Sequence, residues 1–149
     1  MIWKPRLTVA AVIEREQTFL MVEETIDECS TLNQPAGHVE HGESIIDAVI
    51  RETFEETAWK FQPQHLVGIY RWIHTDGDTY IRVSFSGIVT DFDPQHPLDP
   101  DIDATRWISL AELQQAEQQQ RLRSPLVMRS IRDFMAGNHF PLDLLQDVE

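Results

Sequence analysis

The stretch between Gly42 and Pro63 contains no glycine or proline and is predicted to form a helix. Of all features of the sequence, this helix limits the possible folds most. Ser44 is a suitable N-cap residue, and Asp47 three positions later provides a variant of the capping box. Segments rich in β-branched and apolar residues precede and follow the stretch and are typical of strands. The chain is therefore predicted to combine helices with strands.

The predicted helix has two distinct faces when its residues are placed at roughly 100° intervals. Apolar and β-branched side chains share the arc that is expected to face the core, namely Ile46, Val49, Ile50, Thr53 and Thr57. Three acidic side chains share another arc, centred roughly 130° away, and they are Glu52, Glu55 and Glu56. Any surface helix has such a division, so the pattern alone does not indicate a site.

The placement of these glutamates is unfavourable for an isolated helix. Carboxylates spaced three and four residues apart repel each other by a few tenths of a kcal/mol per pair. Glu55 and Glu56 also lie near the end of the helix, where the helix dipole disfavours anions. Only Arg51 and, beyond the helix, Lys60 can offset this charge. Such clustering is typical of a site for Mg²⁺, which prefers oxygen ligands and is completed by substrate phosphates.

Strand and helix signals alternate along the rest of the chain. Strands are predicted at 6–14, 18–24, 65–75, 79–92 and 105–110, and further helices at 110–122 and from Pro125 to Gly137. Residues 30–44 contain Asn, Pro and Gly and are predicted to be a loop with little regular structure. These signals predict one α/β (α+β) domain over residues 1–149, built on a mixed sheet.

Polar and apolar residues alternate within 79–92, and this alternation predicts the environment of each face of the strand. Apolar positions there alternate with Arg82, Ser84 and Ser86. One face of the strand is therefore expected to be buried and the other polar.

Charge and cysteine content exclude several classes of protein. The chain carries 25 acidic and 12 basic residues, whereas binding to duplex nucleic acid demands basic clusters. A small polyanionic substrate stays compatible with this charge if divalent cations lie between it and the carboxylates. The single cysteine, Cys29, suits a reducing compartment. No apolar stretch reaches the length of a membrane span, so no membrane partner and a cytoplasmic location are expected.

A fixed spacing connects the predicted helix with the segment before it. Six positions define the spacing, namely Gly37, Glu43, Arg51, Glu52, Glu55 and Glu56. This spacing resembles the signature of the Nudix hydrolases. The chain departs from it at Thr53, where an aliphatic residue is usual, and at Ala58 and Trp59, where a glycine and an aliphatic residue are usual. Because glycine suits helix termination, Ala58 predicts a helix that ends differently or runs longer.

The resemblance implies a fold and a metal site. The fold is an α/β/α sandwich around a mixed β-sheet, with the signature forming a loop, a helix and a loop. By position in the signature, three glutamates hold Mg²⁺ or Mn²⁺ together with the backbone carbonyl of Gly37, namely Glu52, Glu55 and Glu56. Arg51 orients these glutamates and pairs with Glu43.

The resemblance also implies a reaction, in which water attacks a phosphorus of a nucleoside diphosphate linked to another group. Glu52 or Glu56 is a candidate general base. Because members of the family differ in where the base lies, Glu40 and the acids of loop 93–103 also stay open.

Segments outside the signature resemble the NudJ-type phosphatases, a subgroup of this family. The segments include "LNQPAGH", "RWIS" and "FPLDLLQD". The resemblance implies release of orthophosphate from nucleoside tri- and diphosphates, and action on hydroxymethylpyrimidine diphosphate and thiamine diphosphate. One alternative is a pyrophosphatase that cleaves nucleoside-diphosphate sugars or dinucleotides and releases a nucleoside monophosphate. A second is a non-catalytic module that binds a nucleotide. The protein is expected to be a monomer or a homodimer.

Four residues are candidates for contact with the substrate. The ring of Trp72 can stack on a base or pyrimidine ring, and Arg82 on the facing strand can pair with a phosphate. Arg6 beside the first strand and Gln34 before the signature are further candidates. Packing in the core is the alternative role for Trp72, and a surface charge is the alternative for Arg82.

Overall fold

Seven strands and three α-helices make up residues 1–148, the part of the chain that this computed structural model describes. The strands are β1 (Arg6–Arg15), β2 (Thr18–Ile26), β3 (Cys29–Asn33), β4 (Ala36–His38), β5 (Trp59–Ile73), β6 (Thr79–Phe92) and β7 (Ala104–Ser109). The α-helices are α1 (Ile45–Thr57), α2 (Leu110–Gln118) and α3 (Pro125–Met135). A short 3-10 helix, Leu142–Leu144, follows them.

The strands form one mixed sheet with helices on both faces. The central path of the sheet is β3-β2-β1-β6-β5, while β4 pairs with β1 and β7 pairs with β2. β1 and β6 run parallel, and the other pairs are antiparallel. Apolar side chains of α1 pack against one face, and those of α2 and α3 pack against the other. The predicted α/β/α sandwich around a mixed sheet is confirmed, while the extent of a single domain over residues 1–149 stays a prediction.

Helix α1 begins as the sequence predicts. The backbone N–H of Asp47 donates a hydrogen bond of 3.0 Å to Ser44 Oγ, so Ser44 caps the helix. The side chains predicted to face the core are buried or half-buried. The glutamate face therefore points away from the core of the sandwich, as the periodicity indicated.

The prediction that Ala58 makes α1 end differently or run longer is wrong. The helix ends at Thr57, and Ala58 adopts a left-handed conformation with φ 62° that a glycine would adopt more easily. Its N–H donates to the carbonyl of Phe54 at 2.8 Å, so the helix neither runs on nor ends irregularly. Strand β5 then starts at Trp59, whose ring lies against the guanidinium of Arg15 at 4.8 Å.

The prediction that residues 30–44 lack regular structure is wrong, because the segment supplies two strands. Strand β3 continues a hairpin from β2, and β4 pairs with Thr8, Val9 and Ala10 of β1. Pairing with neighbouring strands outweighs the low strand propensity of Asn, Pro and Gly in this segment. The glycine of the signature, Gly37, therefore belongs to a strand.

One face of β6 is polar, as predicted, but it is not exposed. Arg82, Ser84 and Ser86 are all buried, at 7%, 0% and 3% exposure. Helix α3 covers this face, and the hydroxyls of Ser84 and Ser130 share a hydrogen bond of 2.9 Å. Because helices cover both faces of the sheet, alternation in β6 distinguishes two buried environments.

The C-terminal segment crosses the edge strand β5. Leu66 and Phe140 exchange two backbone hydrogen bonds of 2.8 Å, in an antiparallel bridge. Beyond this bridge, Leu142 and Leu145 pack against the apolar cluster on the α1 side of the sheet. The segment thus leads from α3 on one face to the core on the other.

Replacing the first turn with Asn-Gly is expected to stabilise the protein. Glu16 and Gln17 join β1 to β2 and have φ angles of 51° and 64°, which are typical of a type I′ turn. Because Asn and Gly adopt such angles with less strain, Glu16→Asn/Gln17→Gly should raise the free energy of unfolding by about 1 kcal/mol. Urea denaturation measures the change, and an unchanged hydrolysis rate is the control. A lower urea concentration at the midpoint of unfolding would contradict a type I′ turn at Glu16 and Gln17.

Candidate active site

Arg51 binds most of the acidic residues of the signature. Its Nε and Nη2 donate to the two carboxylate oxygens of Glu43 at 2.6 and 3.0 Å. Its Nη1 donates to Glu52 at 2.9 Å and to Glu55 at 3.1 Å, and Nη2 also reaches the carbonyl of His38 at 3.1 Å. The bidentate contact fixes the plane of the guanidinium. The predicted pair of Arg51 and Glu43 is therefore present, and Arg51 orients two of the three glutamates.

Contacts with Arg51 and burial shift the pKa values of these carboxyls in opposite directions. The hydrogen bonds from Arg51 hold the pKa of Glu43 below its ordinary value. Glu52 is half-buried, and burial raises its pKa even though Arg51 opposes the shift. The acidic partners also raise the pKa of Arg51, which stays charged.

Strand β4 lies directly against the glutamate face of α1. A Cβ atom at Gly37 would overlap the carboxylate of Glu52, so any other residue there would displace this side chain. The backbone N–H of Ala36 donates a hydrogen bond of 2.8 Å to Glu56 Oε1. The spacing between the glycine and the glutamates in the sequence thus corresponds to a contact between a strand and a helix.

Glu56 is the most deeply buried of the three glutamates, with 8% of its surface exposed. Burial raises its pKa to about 9, and the nearby Glu52 and Glu24 add to the shift. The hydrogen bond from Ala36 opposes the shift but is outweighed. Without a bound cation this carboxyl therefore holds a proton at neutral pH, and a divalent cation could replace that proton.

The residues fit a hard divalent cation in their chemistry. The candidates supply carboxylate oxygens and the Gly37 carbonyl, which are the donors that Mg²⁺ and Mn²⁺ prefer. Within residues 1–148, no three acidic, histidine or cysteine side chains already converge as a ligand set. Glu52 and Glu55 point to Arg51 instead. Each of them gives Arg51 only one carboxylate oxygen, Oε1 of Glu52 and Oε2 of Glu55, so the other oxygen of each stays available to a cation.

A cavity of about 710 Å³ adjoins Glu56, while Glu52 and Glu55 are not among its described lining residues. Candidate residues that line it come from four strands, a helix and one loop, and they are Asn33, Gly37, His38, Glu56, Trp72, Arg82, Asp99 and Asp101. Arg6 lies outside it, where its Nε donates to Asp78 at 2.8 Å in a solvent-exposed ion pair. The structure therefore brings Trp72 and Arg82 together with Glu56 but leaves Arg6 apart.

Arg82 is a buried cation that the cavity exposes at one end. It is 7% exposed, and burial lowers its pKa to about 10. Its Nη1 donates to Gln34 Oε1 at 3.3 Å, while its Nε has no partner among residues 1–148. Gln34 is 1% exposed and does not line the cavity, and its Nε2 donates to the carbonyl of Val127 at 2.8 Å. Arg82 is thus not the surface charge considered as its alternative, and Gln34 contacts Arg82.

Aromatic side chains form one wall of the cavity. The half-buried ring of Trp72 lies 5.5 Å from that of Tyr80 at 35°, and 5.0 Å from that of His74 at 89°. Sequence reasoning missed Tyr80, although its position two residues before Arg82 places both side chains on one face of β6. A flat ring could stack beside Trp72 in this wall.

Loop 93–103 is attached to the end of α1. The N–H of Asp99 donates to the carbonyl of Glu55 at 2.9 Å, and that of Asp93 donates to Ala58 at 3.0 Å. Asp99 consequently lines the cavity together with Glu56. Glu40, the other candidate acid, lies 3.5 Å from Arg51 with 65% of its side chain exposed.

Two further charged residues line the cavity. Glu24 of β2 and Arg123, between α2 and α3, both line it. No local pattern marks either position, since only the pairing of distant strands and the packing of α3 bring them to the site.

The chain matches a family model over most of its length. The model, described as the NUDIX domain, matches residues 4–129. The chain therefore belongs to the Nudix family, and it is a hydrolase that acts on pyrophosphate bonds. Members of this family generally use divalent metal ions. No helix in residues 1–148 is long and apolar enough to cross a membrane.

Individual relatives agree with this assignment. The chain is 43% identical to the phosphatase NudJ of Escherichia coli (strain K12) over 145 residues, covering 97% of this chain and 93% of that protein. It is 48% identical to a NUDIX hydrolase from Nitrosomonas europaea, with a TM-score of 0.93 over 97% of this chain and 98% of that one. A UDP-X diphosphatase shares the fold, with a TM-score of 0.71 at 17% identity, covering 95% of this chain and 68% of that chain.

Glu56→Gln is expected to stabilise the metal-free protein at alkaline pH. The folded protein holds a proton on Glu56 up to about pH 9, whereas the ordinary pKa is 4.5. Between these values the unfolded chain has lost that proton, so the stability of the folded state falls as the pH rises. Gln carries no ionisable proton, and at pH 8 the variant should be more stable by about 1–3 kcal/mol.

Denaturation in EDTA at pH 5 and pH 8 measures this effect. The difference between the variant and the unmodified protein should be small at pH 5 and large at pH 8. Glu14→Gln on the exposed part of β1 is the matched control. An equal effect at both pH values would show that ionisation of Glu56 is not the cause.

Proposed function

We propose that the protein hydrolyses phosphoanhydride bonds of nucleoside tri- and diphosphates and related pyrophosphates with Mg²⁺ or Mn²⁺. Hydroxymethylpyrimidine diphosphate and thiamine diphosphate belong to the proposed substrates. The observation that carries the proposal is that the buried Glu56 and the buried cation Arg82 line one open cavity. Such a cavity can hold a phosphate chain between a cation at the carboxylates and an arginine.

Three glutamates and one carbonyl are the proposed ligands of the cation, namely Glu52, Glu55, Glu56 and the carbonyl of Gly37. When bound, the cation neutralises phosphate oxygens and lowers the pKa of a nearby water molecule. Arg51 positions Glu52 and Glu55, and Glu43 holds Arg51. A water molecule would attack a phosphorus while the bond from that phosphorus to the bridging oxygen breaks, so that the bridging oxygen leaves with the other phosphate. A carboxylate of the protein would accept the proton of the water.

Glu56 or Glu52 is the proposed general base. Glu56 lines the cavity, and the carboxylate of Glu52 lies against Gly37, which also lines it. Glu40 and the acids of loop 93–103 stay alternatives, and of these Asp99 and Asp101 line the cavity within the described residues.

The substrate contacts are proposed from the lining of the cavity. Trp72 would stack against the ring of the substrate, and Arg82 would bind a phosphate. Contact of Arg6 with the substrate stays a prediction from the sequence alone, because Arg6 lies outside the cavity. Gln34 would act through Arg82, since its side chain is fully buried.

Two other functions are distinguished by product and by turnover. A pyrophosphatase for sugar or dinucleotide substrates would release a nucleoside monophosphate from them. A non-catalytic module would bind a nucleotide and release nothing. Similarity to a relative named a phosphatase favours orthophosphate release, and the presence of all three glutamates favours catalysis.

The partners and location follow from charge and composition. We expect a small-molecule substrate and no duplex nucleic acid or membrane partner, since the net charge is -13. The exposed, unpaired Cys29 suits the cytoplasm. We propose a monomer or a homodimer.

Hydrolysis is expected to depend on the buried glutamates. Phosphate release from a panel of nucleotides and pyrimidine pyrophosphates, with Mg²⁺, should identify at least one substrate. Glu56→Gln should reduce kcat about 10²-fold or more, since a metal ligand and candidate base is lost. Chromatography identifies the second product. Undiminished turnover by Glu56→Gln would contradict the proposal, while turnover equal to that of the unmodified protein is expected for Glu14→Gln.

Divalent cations are expected to stabilise the protein through the same glutamates. Addition of Mn²⁺ or Mg²⁺ to EDTA-treated protein should raise Tm, because a ligand that binds only the folded state stabilises it. Glu52→Gln should reduce this shift. Calorimetric melting measures it, and an equal shift in Glu52→Gln would place the cation elsewhere.

A further inference from the structure

Two arginines line the cavity without an ion pair. Arg82 is 7% exposed and its Nε has no partner among residues 1–148. Arg123 is exposed, and its backbone N–H, bonded to the carbonyl of Leu32 at 2.8 Å, fixes its place at the cavity wall. Neither side chain makes a salt bridge with an acid in the part of the chain that the structure describes. Both cations thus face the cavity with unused hydrogen-bond donors.

The two charges are close enough to affect each other. Burial is the main cause of the lowered pKa of Arg82, and repulsion by Arg123 adds to it. Glu56 attracts Arg82 more strongly than Arg123 repels it, and Glu24 attracts it as well, but neither carboxylate forms a salt bridge with it. A buried guanidinium without a directly bonded anion is unfavourable, so an anion bound at its free donors would stabilise it.

Sheet register places Arg82 between the aromatic wall and the glutamates. Tyr80 and Trp72 lie opposite each other, and Arg82 follows Tyr80 by two residues, roughly 7 Å along the same face. Ala36, which binds Glu56, lies one further step of two residues along the sheet, across β1. The order along the strands is therefore ring wall, arginine, glutamate.

We propose that Arg82 and Arg123 form a subsite for the phosphate group nearest to the ring of the substrate. This proposal rests on the proposed function and adds which phosphate each part of the cavity holds. A phosphate beside Arg82 lies one step from the ring wall and one step from Glu56. The next phosphate of the chain then reaches the glutamates, and the phosphate on the arginines stays with the product. The enzyme is consequently expected to bind its own monophosphate product.

Gln34 is the positioning residue of this subsite. Its Nε2 donates to the carbonyl of Val127, which can only accept, so its Oε1 must face the guanidinium of Arg82. The amide thereby holds Arg82 without neutralising it. The guanidinium keeps its charge for an anionic ligand.

Binding of monophosphates to metal-free protein tests the subsite. Calorimetric titration in EDTA compares AMP with adenosine, and hydroxymethylpyrimidine monophosphate with its alcohol. At least one monophosphate should bind about 10-fold tighter than its phosphate-free form, because charge-assisted contacts to arginine are strong. The assay contains no metal and requires no hydrolysis. Tighter binding of a monophosphate can therefore be observed even if the protein hydrolyses none of the substrates, and equal binding can be observed even if it does.

Variants separate a role in binding from a role in folding. Arg82→Met should abolish the preference for the phosphate form without lowering Tm, because it removes an unpaired buried charge. Gln34→Leu should weaken the preference for the phosphate form, because Arg82 loses the acceptor that holds it. For either residue, a merely structural role would lower Tm and leave the preference for the phosphate form unchanged.

Arg123→Gln provides a variant at an exposed position. It should weaken monophosphate binding about 5- to 20-fold and raise KM for the diphosphate substrate by a similar factor, with kcat nearly unchanged. Arg121→Gln is the matched control, since Arg121 lies two residues away and does not line this cavity. Equal binding of the phosphate and phosphate-free forms, or unchanged binding in both Arg82→Met and Arg123→Gln, would overturn the proposal.

Discussion

The contact of β4 with the glutamate face of α1 determines the geometry of the site. Ala36 donates its N–H to Glu56, and Gly37 allows the carboxylate of Glu52 to lie against the backbone. Because β4 pairs with the central strand β1, the helix is held in register with the sheet that carries Arg82. A displacement of β4 would therefore move the carboxylates relative to the whole cavity. This dependence accounts physically for a signature that includes residues before the helix as well as residues within it.

The sequence predicted well the features that depend on neighbouring residues. Ser44 caps α1 as its capping pattern indicated, and Arg51 pairs with Glu43 as the resemblance to the signature implied. Such contacts are decided within one loop and one helix, so their spacing can be read directly. The helix end at Ala58 was predicted wrongly because tertiary contacts, including the immediate start of β5, hold a left-handed conformation that alanine disfavours.

The remaining differences arise from contacts between distant parts of the chain. Residues 30–44 contain turn-forming residues, yet β1 and β2 recruit them into strands. The polar positions of β6 are buried because α3, which follows much later in the chain, covers them. Arg123 reaches the cavity for the same reason. The alternation of polar and apolar residues in a strand shows that its two faces differ in polarity. It does not show which element will pack on either face.

The crossing of β5 by the C-terminal segment has a consequence for synthesis. An edge strand with free backbone groups can pair with another chain, and the bridge between Leu66 and Phe140 occupies part of this edge. During translation β5 and its partner β6 leave the ribosome well before Phe140 does. For that interval the nascent chain carries an open β edge, and a ribosome that stalls before Phe140 leaves a chain prone to pair with its neighbours on the same polysome.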